Sequence, residues 1–145
     1  MKKIVNKITV RFLSHSSNEA LSRIIITGFI MPLNPTVEEI ADVKTSVSEA
    51  VTNSIVHGYK NREDGIVEMK ATYTLDHVLT VTVRDFGCGI EDIELAKTPL
   101  YTTDRENERS GMGFSIMESF CDKLKVTSTI GKGTKVTLVK KLKNE

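Results

Sequence analysis

Cysteine and histidine are scarce in this chain, and no stretch stays apolar for long. The two cysteines, Cys88 and Cys121, stand alone, and His15, His57 and His77 form neither a C-x-x-C nor an H-x-x-x-H pattern. Those spacings are what a disulfide framework or a zinc site would need, so both thiols are expected to be reduced and structural. No apolar run approaches the roughly 20 residues of a membrane span, and the opening MKKIVNKITVRF lacks the apolar centre of a signal peptide. A cytoplasmic protein with no membrane contact is the expectation. Charge of one sign is missing too: 20 Lys and Arg stand against 19 Asp and Glu, net +1. That balance gives no support to bulk nucleic-acid binding, and no direct nucleic-acid partner is expected. Repeats and low-complexity segments are also absent. What remains, 145 residues with 39% hydrophobic content, suits one domain over residues 1–145 that buries its core without a metal or a disulfide.

The stretch on which the chain turns is Asp42 to Tyr59, DVKTSVSEAVTNSIVHGY. Ile40, Val43, Val47, Ala50 and Val51 recur at three- and four-residue steps, which predicts an amphipathic helix with one buried stripe. Glu49 and Asn53 lie off that stripe, one turn apart, so a carboxylate and an amide can address one small ligand. Thr36 and Glu39 form a capping box at the helix start, and His57-Gly58 close it.

Around this helix the chain reads as strands and two further helices. Lys7 to Leu13 alternates as a half-buried strand. Ser16 and Glu19 suggest a capping box for a helix that runs to Met31-Pro32, where proline disfavours helical geometry. Its apolar residues, Ile24 to Ile26 and Phe29 to Met31, cover more of the circumference than one core contact needs. They predict either a helix sandwiched inside its own core or a second face buried against another subunit. Val67 to Leu75 and Val78 to Arg84 form an antiparallel pair about the turn Asp76-His77, and Val126 to Ile130 pairs with Thr134 to Val139 about Gly131-Lys132-Gly133. Between Glu91 and Ser110 no period persists, which predicts a long polar loop of the active-site-lid kind. Phe114, Met117, Phe120, Cys121 and Leu124 then follow at helical spacing behind Gly111-Met112-Gly113. Strands segregated from three amphipathic helices predict an α/β (α+β) two-layer sandwich, helices on one face of a mixed, mostly antiparallel sheet.

Each motif has a plain reading when taken singly. E-x-x-x-N can be a solvated helix face, Asp85-Phe86-Gly87-Cys88-Gly89 a turn at a strand end, Gly111 and Gly113 a hinge, and Gly133-Thr134 a hairpin tip. Together and in this order they resemble the four ATP-binding boxes of the GHKL superfamily of gyrases, chaperones, histidine kinases and mismatch-repair ATPases, the Bergerat nucleotide fold. Within it, SEAVTNSIVHGY, VRDFGCGI, PLYTT and ERSGMGFSIME are similar to the anti-sigma F factors of endospore-forming bacteria, a family of serine-protein kinases, over nearly the whole chain. A histidine kinase would add a dimerisation helix with a phosphoacceptor histidine, for which this chain has no room.

The resemblance implies a sporulation anti-sigma factor that binds a sigma factor, sigma F, and phosphorylates a serine of an anti-anti-sigma partner with ATP and Mg²⁺. It implies Glu49 as general base, Asn53 as the Mg²⁺ ligand and Asp85 as acceptor for the adenine amine. Gly87 and Gly89 would keep that wall open, Gly111 and Gly113 would bring amides to the phosphates, and Thr134 would lie near the base. Arg109 or Arg105 would reach the γ-phosphate. A homodimer through the first strand and helix, with Arg23 docking the protein partners, completes the expectation. The same residues fit an anti-sigma B type stress-response kinase, or a module in which ATP gates binding and no phosphoryl group moves.

Overall fold

The computed structural model describes residues 3–97 and 113–144. Five strands are interleaved with four helices: β1 (Ile4–Leu13), α1 (Ser17–Ile30), α2 (Val37–Asn53), β2 (Ile66–Thr74), β3 (Val78–Asp85), α3 (Ile93–Ala96), α4 (Gly113–Phe120), β4 (Lys123–Thr129) and β5 (Gly133–Lys141). A 3-10 turn, Met31–Leu33, follows α1 at Pro32, and a π turn, Ser54–Gly58, extends α2. The strand order is β1-β2-β3-β5-β4. All four described pairings are antiparallel, so the expected mixture contracts to an antiparallel sheet. Two hairpins, β2–β3 and β4–β5, supply two of those pairings. β5 makes a third by lying antiparallel beside β3.

Among the described residues, helices cover one face only. Strand alternation points Val67, Met69, Ala71 and Tyr73 of β2 and Leu79, Val81 and Val83 of β3 towards the helical layer, all buried. They meet Ile26 and Ile30 of α1 and Val43, Val47, Ala50 and Val51 of α2 in one core. Burying each larger side chain contributes about 1.5–3 kcal/mol relative to leaving it in water. The α2 stripe is therefore where the sequence pattern puts it, and Glu49 and Asn53 stand outside it, half-buried.

The two helix starts differ. At α2 the capping box forms: Thr36 Oγ1 accepts the Glu39 N–H and Glu39 Oε1 accepts the Thr36 N–H, both at 3.0 Å. At α1 it does not. Ser16 already has helical dihedrals (φ −58°, ψ −31°) and makes no side-chain cap. The ring Nδ1 of His15 accepts the Ser17 N–H instead. Glu19 turns away to Arg23 Nε at 3.1 Å and to the Ser48 hydroxyl of α2 at 2.5 Å, so the residue expected to cap α1 ties it to α2. Two further expectations shift. The predicted loop holds the short helix α3, capped by Asp92 Oδ1, which accepts the Leu95 N–H. α4 ends at Phe120, and Leu124 belongs to β4, because Asp122 N–H is already bonded to the Val139 carbonyl of β5.

Candidate functional site

Between α2, the π turn, the exit of β3, α3, α4 and the start of β5 lies a cavity of about 980 Å³. The chain is helical from Val37 to Gly58 as expected, but after Asn53 it widens from α to π, the Tyr59 N–H bonding the Ser54 carbonyl at 2.9 Å. Such π turns concentrate at functional sites because they re-aim side chains that a regular helix would place elsewhere. Here the turn delivers Ser54, His57 and Gly58 to the cavity, beside Glu49 and Asn53 from the last α turns.

Asp85 forms the opposite wall. It is 4% exposed, and one of its carboxylate oxygens accepts the Gly87 N–H at 3.0 Å. Burial pushes this carboxyl above the usual range, against lowering hydrogen bonds from the Gly87 amide, the Ser54 side chain and the Thr134 backbone. Glycine at 58 is a requirement: a Cβ there would stand 2.9 Å from the carboxylate. The next glycine is held equally hard. A Cβ on Gly87 would run into the Gly58 carbonyl, and Gly89, at φ +80°, would run into the Thr129 carbonyl. The D-x-G-x-G motif is thus a turn and a cavity wall at once.

On the α2 side, Gly113 opens α4. Its Cβ position lies 3.2 Å from Asn53 Nδ2, 3.2 Å from Glu49 Oε2 and 3.3 Å from Asn53 Oδ1. The first residue of α4 therefore sits directly on the acid and the amide. Thr134 also lines the cavity, its hydroxyl 2.8 Å from that of Ser128, which in turn accepts the Ile90 N–H at 2.7 Å. Of the residues singled out in the sequence, Glu49, Asn53, Asp85, Gly89, Gly113 and Thr134 all line this one cavity. Arg105, Arg109 and Gly111 lie outside the described residues. Arg23 is on α1, away from the cavity lining, paired with Glu19. Cys88, expected to be structural, is exposed at the cavity, whereas Cys121 is half-buried beside Ser46.

The motifs missed several contributors. Ser54 and Gly58 shape the Asp85 wall, and Ser128 ties Thr134 to Ile90. Tyr59, 3% exposed, donates its hydroxyl to the Ile66 carbonyl at 2.5 Å and accepts the Phe86 N–H at 2.7 Å, clamping the π turn to β2 and to the exit of β3. Burial raises its phenol pKa. The only sequence signal for this clamp was an aromatic directly after the helix-ending glycine.

The architecture has known counterparts. Residues 18–140 match the family model described as a histidine kinase-like ATPase domain. An anti-sigma F factor from Clostridium novyi is 53% identical over 139 residues, 96% of this chain and 96% of its own length. One from Clostridium beijerinckii is 54% identical over 136 residues, 94% of each. Among solved structures, the RsbU and RsbW domains of a Mycobacterium tuberculosis protein align over 95% of this chain and 33% of theirs, TM-score 0.68 at 16% identity, a likeness of fold. The histidine kinase domain of a blue-light activated kinase from Erythrobacter litoralis aligns over 73% of this chain and 46% of its own, TM-score 0.54 at 29% identity. Identity of 53–54% over 94–96% of the chain, with the family model spanning residues 18–140, makes the chain a member of the anti-sigma F factor family, within the histidine kinase-like ATPase domains.

Proposed function

We propose that the chain, as one domain over residues 1–145, binds and inhibits sigma F and uses ATP to phosphorylate a serine of an anti-anti-sigma partner. The observation that carries this reading is Gly113 seated on both Glu49 and Asn53. That places a carboxylate and an amide beside the start of a helix, where backbone amides and the helix dipole favour phosphate. The names of the relatives support the choice of partner.

Phosphoryl transfer asks for positioning, charge neutralisation and a proton acceptor rather than covalent chemistry by the protein. Asp85 accepts the adenine amine, with Thr134 beside it, and the Gly87 and Gly89 backbone shapes the wall on which the base lies. Gly111 and Gly113 amides address the phosphates, and Arg109 or Arg105 the γ-phosphate. Asn53 offers one amide oxygen beside the Glu49 carboxylate. An amide oxygen beside a carboxylate is a hard-oxygen donor set that fits Mg²⁺, an ion that takes few protein ligands and completes its shell with substrate phosphates and water. When bound, that ion supplies neutralisation of the triphosphate charge. Glu49 takes the serine proton as Oγ bonds to the γ-phosphorus and the bond to the bridging oxygen breaks, the electron pair leaving with ADP.

For the assembly, the exposed apolar residues of α1 and of the turn after it support a homodimer. Ile26, Phe29 and Ile30 are spent in the core, yet Leu21, Ile24 and Met31 remain exposed, with open space beside Gly28 between them. Together with Gly28 they recur at steps of three and four, one continuous stripe. Arg23 adjoins it as a docking cation for the protein partners.

The test is incubation with radiolabelled ATP, Mg²⁺ and the anti-anti-sigma protein from the same organism. Label on a serine of that protein is expected. Binding of ATP and of sigma F without transfer would instead identify a nucleotide-gated module.

A further inference from the structure

We propose that the open face of the sheet docks the phosphodiester backbone of a nucleic-acid duplex, independently of its sequence. The register fixes which side chains share that face, because residues directly opposite one another in paired strands point the same way. One row crosses all five strands as Arg11, Glu68, Arg84, Lys135 and Thr127. The next is Thr9, Lys70, Thr82, Thr137 and Lys125, and the third Lys7, Thr72, Thr80, Val139 and Lys123. These fifteen positions hold seven cations, six threonines, one valine and a single acid. All seven cations are exposed.

The net charge of +1 concealed this segregation. The helical layer leans the other way, with Glu19, Glu38, Glu39, Asp42 and Glu49 against Arg23 and Lys44 on α1 and α2. On the open face Glu68 is taken up by Arg11 at 2.7 Å and Lys70 at 3.7 Å. Its hydrogen bond to Arg11 holds it below the ordinary carboxylate range, and the charges of Arg11, Lys70 and Arg84 add to that. Among the described residues no ion pair engages Lys7, Arg84, Lys123, Lys125 or Lys135.

Lysine on an edge strand is a common guard against edge-to-edge pairing. That accounts for Lys7 on β1 and for Lys123 and Lys125 on β4, but not for Lys70, Arg84 and Lys135 on the three inner strands. An ordinary solvated face would intersperse both signs. Apolar and aromatic anchors carry protein–protein contacts; on this face the exposed Leu13 and Ile66 pair in the next row, at its end, and within the three charged rows Val139 alone is apolar. Single-stranded nucleic acid would want rings for its bases to stack on. Phe86, beyond the end of β3, already has Arg84 over its ring at 4.8 Å. What is left is charge and hydroxyl donors spread over a surface about 19 Å wide at the usual strand spacing. This matches a duplex, which presents a negative charge about every 1.7 Å along its axis.

The experiment uses the full chain and a fluorescein-labelled duplex of about 20 base pairs and arbitrary sequence, read by anisotropy at about 50 mM salt. Micromolar binding is expected, weakening about 100-fold by about 200 mM salt, the slope for about four neutralised phosphates. The triple variant Lys70→Glu, Lys125→Glu, Lys135→Glu should lose binding at least tenfold while keeping its ATP affinity, which reports that the fold is intact. Lys44→Glu, on α2, should bind as the parent does. Absence of binding at low salt, or an undiminished triple variant, overturns the proposal. So does equal or tighter binding to anionic phospholipid vesicles or to polyglutamate, which would assign the face to a membrane or to an acidic protein.

Discussion

The two sides of the cavity use glycine for opposite purposes. On the Asp85 side, Gly87 is pressed against the Gly58 carbonyl and Gly133, at φ +123°, against the Asp85 carbonyl. Both neighbours are main chain and can move only if a strand or the π turn moves. On the α2 side, a Cβ on Gly113 would stand 3.2 Å from the tips of Asn53 and Glu49, and side-chain tips can swing aside. One wall is therefore part of the fold, while the other is an arrangement of groups laid on top of it. Substitutions on the two sides should separate accordingly, stability on the first and chemistry on the second.

The largest effect belongs to Gly133→Ala. A Cβ at that position meets a carbonyl and adopts a left-handed φ that L-residues resist, so a loss on the order of 3 kcal/mol or more is expected. Thermal unfolding should show it as a fall in Tm of roughly 10 °C. An unchanged Tm would erase the contrast between the two sides. Glu49→Gln comes next and should do the reverse. Transfer to the serine substrate should slow roughly 10²-fold, the scale of general-base help, with Tm and ATP affinity as in the parent. Wild-type turnover in that variant would return Glu49 to the solvated face of α2.

The same contrast explains what was legible in the sequence. The α2 stripe was readable because Val43, Val47 and Val51 obey a local period, and the glycine boxes because each motif is contiguous. The antiparallel hairpins were readable from their turns, one of which rests on His77 at φ 66°. Ser54, Tyr59 and Ser128 were not readable. Their roles arise from contacts between elements distant in sequence, as when the Tyr59 hydroxyl meets the backbone of Ile66 and Phe86. The α1 cap failed for a related reason: the local rule bonded Glu19 to Ser16, and tertiary contact gave it to Ser48 instead. The charged sheet face was hidden because it is assembled row by row across five strands, while composition counts charge only over the whole chain.

Gly113→Ala sharpens the comparison from the α2 side. At the first residue of α4 alanine gains less than the roughly 0.5–1 kcal/mol it has over glycine inside a helix, so Tm should hold or rise slightly. The new methyl would stand among Asn53 and Glu49 and displace them by a few tenths of an ångström. Positioning errors of that kind cost rate, and roughly a tenfold fall in turnover is expected from steady-state phosphorylation. A stabilised variant with full activity would mean that the Gly113 contact does not hold the two groups in place.

The smallest effect, Asp85→Asn, tests whether the Asp85 wall carries recognition as well as structure. Burial raises the folded carboxyl above its ordinary 3.8, so the folded state binds this proton more tightly than the unfolded chain does. Stability from this group is fully present below the unfolded value and is lost as pH rises through the folded one. At neutral pH the buried charge therefore detracts from stability, and an amide of the same shape, still able to accept the Gly87 N–H, should not. A gain in Tm is expected near pH 7, and it should shrink as pH falls through the raised folded value and be gone below the unfolded one. Recognition should move the other way. Ionised Asp85 can only accept a hydrogen bond, which suits an amine on the base, whereas asparagine can also donate and so tolerate a carbonyl there. Competition between ATP and GTP should therefore favour ATP in the parent and lose that preference in the variant. Stability gained with the preference intact would make Asp85 a strained structural group, and the base would then be selected elsewhere in the cavity.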